Sequence, residues 1–281
     1  MTAVQQQEAL FDSHCHWDHP KLQALQPELW QACENNGVGH LLVPATKAHN
    51  WSDLITLCKQ QSNWHLALGL HPYFITEHLP EHLSQLQQLV ATENPQAIGE
   101  IGLDWHLPES TWEAQETLFI EQLKLAQQYQ LPVILHVRKC HDRVLKLIRQ
   151  QRFTDGGFVH AFSGNEQQAK AYADLGFKLG VGGTITYQRA TKTRHLFSRL
   201  PLSWLVLETD APDMPMSHQT DRLNRPDALT KVLDVLEPLR SDVTVYGGLS
   251  HPAVRRVHGH SNADQYLTGA DTKGHGPYKN S

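Results

Sequence analysis

ALFDSHCH, residues 9–16, is a short apolar run that ends in a His-x-His pair, His14 and His16. The same design recurs downstream. QAIGEIGLD (96–104) carries Glu100, LPVILHVR (131–138) carries His136, GFVHAF (157–162) carries His160 and WLVLETD (204–210) ends in Asp210. A run of this length that is apolar at nearly every position is the pattern of a strand covered on both faces, as in parallel sheets. HLLVPAT (40–46), WHLALGLH (64–71) and FKLGVGGTI (177–185) bring the number of such runs to eight.

Amphipathic stretches lie between them. In STWEAQETLFIEQLKLAQQYQ (110–130), Ser110 and Glu113 predict a capping box. Leu118, Gln122, Leu125 and Tyr129 then recur at helical spacing, with Phe119, Leu123 and Ala126 widening the stripe. Asn165 is placed to cap EQQAKAYADL and Gly176 to end it, as Asn36-Gly37 does for the first helix. Eight strands interleaved with helices predict an α/β fold, a (β/α)₈ TIM barrel over residues 8–240. An open doubly wound sheet is the other topology this order allows. It would not gather ligands from strands one, four, five, six and eight around one point.

Bulk properties narrow the field. The chain has 281 residues, is 40% hydrophobic and carries a net charge of −5 with neutral histidines, so it has no basic footprint for nucleic acid as a whole. Cys15, Cys33, Cys58 and Cys140 show no C-x-x-C spacing, which argues against a zinc knuckle or a disulfide framework. The N-terminal stretch lacks a basic segment followed by an apolar one, and no apolar run approaches the roughly 20 residues of a membrane helix. These features predict a cytoplasmic protein with no membrane partner, read here as a monomer. From about residue 241 helical periodicity disappears and Gly, His, Ser, Thr and Asn dominate. Residues 241–281 are expected to be mobile or irregularly packed.

The six residues at the strand ends are candidate metal ligands: His14, His16, Glu100, His136, His160 and Asp210. Residues two apart on a strand face the same way, so His14 and His16 can chelate one ion. A lone buried carboxylate at Glu100 needs a partner or a cation. Taken singly, each has a plain alternative: a core histidine, a salt-bridged glutamate, a helix-capping aspartate. Their joint placement at the barrel rim favours the metal reading. Four imidazoles and two carboxylates suit two divalent cations, zinc, manganese, magnesium or nickel. The expected division is His14, His16, Glu100 and Asp210 on the first and Glu100, His136 and His160 on the second. Two cations about 3.5–4 Å apart can bind and activate a bridging hydroxide. Glu100 and Asp210 are the catalytic candidates, Asp210 as the group that orients or deprotonates the water. His71, Arg138, Ser163 and Gly164 are substrate-binding candidates; Arg138 shares a strand face with His136 and can hold a phosphate. Asp104 and Asp18 are candidate acceptors for histidine N–H groups. Trp17, Trp105 and Tyr73 are candidate stacking platforms at the rim. Gly182-Gly183 opens no dinucleotide fingerprint, and no nucleotide cofactor is expected.

The blocks DSHCHWD, GLHP, GEIGLDW, LPVILHVR, VHAFSG, GVGGTITY and LETDAPDM, in this order, resemble the TatD family of metal-dependent hydrolases and deoxyribonucleases, of the amidohydrolase-type barrel superfamily. GVGGTITYQRATKTR and ETDAPDMP are similar to its YjjV-like branch. The likeness runs from about residue 10 to 240. It implies that the family's metal ligands fall on the six residues named above, and that a DNA phosphodiester is the substrate class. The Asn-rich closing helix of the family is not found after residue 240, which a changed reading frame near the 3′ end would explain. An amidohydrolase-type C–N or ester hydrolase of a small molecule is the competing expectation. A barrel that binds metal without turnover has nothing in the sequence to favour it, and no G-x-S-x-G elbow supports a serine hydrolase.

Overall fold

The computed structural model describes residues 9–240. The expectation for 241–281 lies outside them. Eight parallel strands, β1 (Leu10–Asp12), β2 (Val38–Pro44), β3 (Trp64–Leu68), β4 (Ala97–Asp104), β5 (Val133–Arg138), β6 (Gly157–Val159), β7 (Phe177–Val181) and β8 (Leu205–Leu207), pair in chain order. Backbone bonds from Ser13 N–H to Leu207 C=O (3.0 Å) and from Asp210 N–H to His14 C=O (2.8 Å) join the last strand to the first. The fold is therefore the (β/α)₈ TIM barrel, as expected.

The strands are covered by α1 (Pro20–Gln23) with α2 (Gln26–Asn35), then α3 (Trp51–Cys58), α4 (Pro80–Glu93), α5 (Trp112–Tyr129), α6 (His141–Gln151), α7 (Glu166–Ala173), α8 (Thr191–Arg199) and α9 (Leu229–Leu236). Alternate strand residues face in and out, which explains the unbroken apolar runs. The inward set Phe11, Leu42, Ala67, Ala97, Ile134 and Phe158 packs as a small cluster inside the barrel. A much larger cluster fills the layer between sheet and helices.

Asn165 and Gln168 form the reciprocal cap of α7, and Gly37 (φ +78°) and Gly176 (φ +81°) take the left-handed turns that end α2 and α7. The Ser110–Glu113 capping box does not form. Residues Glu109–Thr111 make a 3₁₀ turn, and α5 starts at Trp112 with no side-chain cap. Several strands are also shorter than their apolar runs. His14, His16, His160 and Asp210 lie just past the ends of β1, β6 and β8, where the ladder gives way to loop. Asp210 even adopts φ +60°, a conformation its short polar side chain tolerates. Trp17 is no rim platform. It is fully buried against Trp30 and Trp64, with ring centroids 6.4 and 5.6 Å away.

Candidate metal centre

The six candidate ligands converge on the carboxyl-terminal mouth of the barrel. Nε2 of His14 lies 3.4 Å from Nε2 of His16 and 3.1 Å from Glu100 Oε2. Asp210 Oδ1 is 3.6 Å from both Nε2 atoms. Glu100 turns its other oxygen away: Oε1 is 3.1 Å from His136 Nδ1 and 3.1 Å from His71 Nε2. Asp210 is divided likewise, with Oδ2 3.6 Å from His160 Nε2. Each carboxylate thus sends one oxygen to the His14–His16 side and the other to the His136 or His160 side.

One expectation needs correction. Glu100, His136 and His160 do not form one convergent trio among the described residues. His71 stands with Glu100 and His136, while His160 groups with His14 and Asp210. The ring of His160 stacks on that of His14 at 3.8 Å between centroids, which draws it towards the first group.

Polar contacts fix which nitrogen each ring presents. His136 Nε2 lies 3.1 Å from Asp104 Oδ2, so Nδ1 is the atom turned to the cluster. His160 Nδ1 lies 3.1 Å from Glu208 Oε1, which leaves Nε2 facing Asp210. Carboxylates behind imidazoles in this way set tautomer and ring orientation in metal sites. His71 behaves differently. Its Nδ1 accepts the Tyr73 N–H at 3.0 Å, so the neutral ring carries its proton on Nε2, which faces Glu100 Oε1 at 3.1 Å. That tautomer suits a proton-bearing neighbour of Glu100 better than a lone-pair ligand.

Burial and charge set the protonation states. Burial and the neighbouring His160 hold His14 well below the usual histidine range, so its ring is neutral. Burial alone would raise the Glu100 carboxyl, but His71, His14 and His136 surround it and keep it ionised well below the ordinary range. Burial raises Asp210 to about 6, against the pull of His160 and His16. Burial opposes charge on His160, yet Glu208 and Asp210 outweigh it and raise its pKa. His136 is raised in the same way by Asp104 and Glu100.

Glu208 was not singled out in the sequence. It is fully buried, accepts the Ala161 N–H at 2.6 Å and faces His160. Room for it comes from Gly180, where a Cβ would stand 2.3 Å from Glu208 Oε2. A legible signal existed: Glu208 and Asp210 are two apart, the same spacing that marked His14 and His16. Asp12 was also missed. Its carboxylate accepts the Thr209 N–H (2.9 Å) and hydroxyl (2.5 Å) and the His14 N–H (3.2 Å), tying the end of β1 to the end of β8. Two glutamines of α5 support the site from behind. Gln115 bonds both backbone groups of Asp104, and Gln122 both backbone groups of Leu70, beside His71. Asp18 accepts from Asn50 Nδ2 at 2.8 Å and, among the described residues, pairs with no histidine.

The donor set fits divalent cations. Imidazole nitrogens and carboxylate oxygens converge within 4.8 Å of one another in three overlapping groups. Two histidine Nε2 atoms point at one another with acidic oxygens around them, an arrangement a cation satisfies better than hydrogen bonds do.

A family model described as TatD related DNase matches residues 11–245. The chain belongs to the TatD family. It is a metal-dependent hydrolase of that family. The uncharacterized metal-dependent hydrolase YjjV of Escherichia coli K12 is 43% identical over 233 residues, which span 82% of this chain and 90% of the relative. The crystal structure of YjjV superposes with a TM-score of 0.84 at 39% identity, covering 92% of this chain and 98% of that one. The 3′-5′ ssDNA/RNA exonuclease TatD of Salmonella typhimurium LT2 is 30% identical over 204 residues, 70% of this chain and 78% of the relative.

In this TatD-family barrel a cavity of about 440 Å³ opens above the cluster, with His136, His160 and Asp210 in its wall. Arg138 and Ser163 reach it, and Arg138 is half exposed with Nη1 4.0 Å from Asp104 Oδ2. Gly164 does not line it. A Cβ there would strike Gln168 and Phe162 at 2.7 Å, so this glycine serves the tight entry to α7. His71 lies behind Glu100, buried, and does not line that cavity either.

Proposed function

We propose that the protein is a phosphodiesterase that uses two divalent cations to cleave nucleic-acid strands, most readily a single-stranded end. The supporting observation is the division of Glu100 and Asp210, each offering one oxygen to either side of the cluster. Cations held there supply charge neutralisation at the phosphodiester and a water of lowered pKa. His14, His16, Glu100 Oε2 and Asp210 Oδ1 would hold a cation on one side, with Glu100 Oε1 and His136 Nδ1 on the other and His160 Nε2 beside Asp210 Oδ2.

The chain's own groups do the rest. Asp210, at the end of β8 beside the cluster, is placed to orient the attacking water or accept its proton. Asp104 and Glu208 hold His136 and His160 in register. Arg138, at the cavity wall, can clamp the non-bridging phosphate oxygens with two N–H groups. The net charge of −5 suits capture of a strand end by local groups rather than by an overall field. The Salmonella relative's action on single-stranded DNA and RNA points the same way.

The test is release of nucleotides from end-labelled single-stranded DNA with Mg²⁺, Mn²⁺ or Zn²⁺, alongside amides, lactones and simple esters. Cleavage of DNA that stops on chelation and in Glu100→Gln and Asp210→Asn is the expected result. Turnover of the amides or lactones with none of DNA would establish the small-molecule alternative instead.

A further inference from the structure

A second cavity, about 610 Å³ and open to solvent, adjoins the first. Thr184 and Met214 are walls of both, so the two are continuous. Its outer lining includes Tyr187, Arg189, Pro215 and Arg222. Tyr187 is fixed by its hydroxyl, which donates to the Pro215 carbonyl at 2.7 Å. The Arg189 guanidinium lies 5.1 Å from the centroid of the Tyr187 ring, a cation–π contact that steadies it at the cavity edge. Arg222 is exposed, in the loop after β8.

Among the described residues neither of these arginines enters an ion pair. Others do: Arg225 pairs with Asp221, Arg143 with Glu116 and Arg199 with Glu166. Two uncompensated guanidinia therefore flank a groove that leads to the ligand cluster of an otherwise acidic chain. Arginine is suited to this because its fork matches phosphate geometry.

We propose that the second cavity is a backbone-phosphate subsite, in which Arg189 and Arg222 hold the phosphate of the nucleotide next to the scissile bond. The substrate is then a single-stranded polynucleotide, not an isolated small diester. This rests on the phosphodiesterase reading above and adds the substrate's length.

Binding of a fluorescein-labelled 12-residue oligothymidylate, followed by anisotropy in EDTA between 50 and 200 mM salt, tests it without turnover. Arg189→Gln/Arg222→Gln is expected to weaken binding at least tenfold and to reduce the slope of log K against log salt by about 0.7, the value for one lost single-strand phosphate contact. Lys replacements at both positions should recover most of that slope. Lys124→Gln, on the exposed face of α5, should bind like the wild type. With Mn²⁺, the fall in kcat/KM of the double Gln variant should be at least fivefold larger on the oligonucleotide than on bis(p-nitrophenyl) phosphate. Unchanged affinity and slope in the double Gln variant, or equal losses on both substrates, would overturn the subsite. Arginine-dependent binding without metal-dependent cleavage of any diester would instead retain the subsite and remove the phosphodiesterase reading.

Discussion

Gly180 sits on β7 directly against Glu208, and Gly180→Ala should damage the site without touching a candidate ligand. The added Cβ would lie 2.3 Å from Glu208 Oε2, 2.6 Å from Cδ and 2.8 Å from Oε1. To reach the 3.4 Å of an ordinary contact the carboxylate must retreat by about 1 Å. Glu208 is fully buried, so it has no water to retreat into. It would loosen its hydrogen bond to the Ala161 N–H and its ion-pair contact with His160 Nδ1. A hydrogen bond to a charged group contributes about 1.5–3 kcal/mol, so the loss is about 1.5–3 kcal/mol. His160 also loses the carboxylate that orients it, which typically lowers metal affinity about 10–100-fold. Gly182→Ala is the control. Its nearest Glu208 atom would be 3.4 Å away and its φ is −112°, so the change should stay within about 0.5 kcal/mol. Urea unfolding of EDTA-treated protein reads the stability, and calorimetric titration with Mn²⁺ reads the affinity. Wild-type values for Gly180→Ala, or equal damage from both alanines, would refute the claim that Gly180 makes room for Glu208.

Gln115→Leu should destabilise the protein by about 2–4 kcal/mol, because it strands the buried N–H and C=O of Asp104; an unchanged urea midpoint would count against that role. His71→Ala should leave the metal stoichiometry as in the wild type, whereas His136→Ala should lose a metal equivalent by elemental analysis; the reverse order would show that His71 is the ligand. Burial lowers His141 to about 4 from an ordinary value of 6.5. The unfolded chain therefore binds the extra proton between pH 6.5 and 4, and folding loses about 3 kcal/mol across that window as pH falls. His141→Gln removes this component, so its unfolding free energy should decline less steeply from pH 7 to pH 4; parallel curves for the two proteins would contradict the assignment.

The barrel was legible because its strands are buried on both sides. Phe11, Leu42 and Ile134 point inward while Leu10, Leu41 and Val133 point outward, and both sets must be apolar, so the runs stand out. Strand ends were not legible to the residue. The runs read as strands extend past β8 and β1 into Glu208–Asp210 and Ser13–His16, whereas the ladder stops where Asp210 turns left-handed and Asp12 begins bonding side chain to backbone. The start of α5 was misread for a related reason. Ser110 and Glu113 have capping chemistry, but Pro108 opens a turn in which the Thr111 hydroxyl donates to the Pro108 carbonyl at 2.7 Å, and the helix begins later.

At the site, the polar ends of the strands were readable because carboxylates and imidazoles are costly to bury there without partners. What could not be read is which polar residue supports which. Gln115 and Gln122 look like ordinary members of a helix stripe, yet each closes two backbone bonds across the gap to a strand end. Such pairing depends on the angle at which α5 crosses the sheet, and spacing along one helix carries no record of that angle. The division of His71 from His136 has the same origin. Both are histidines at the end of an apolar run, and both lie 3.1 Å from Glu100 Oε1. They differ in their second nitrogen: a backbone N–H reaches His71 and a carboxylate reaches His136. A backbone donor places the ring proton on the side facing Glu100, and a carboxylate acceptor places it on the side facing away. One ring is thereby left with its proton facing the carboxylate and the other with a free lone pair on that side, which only the folded neighbourhood decides.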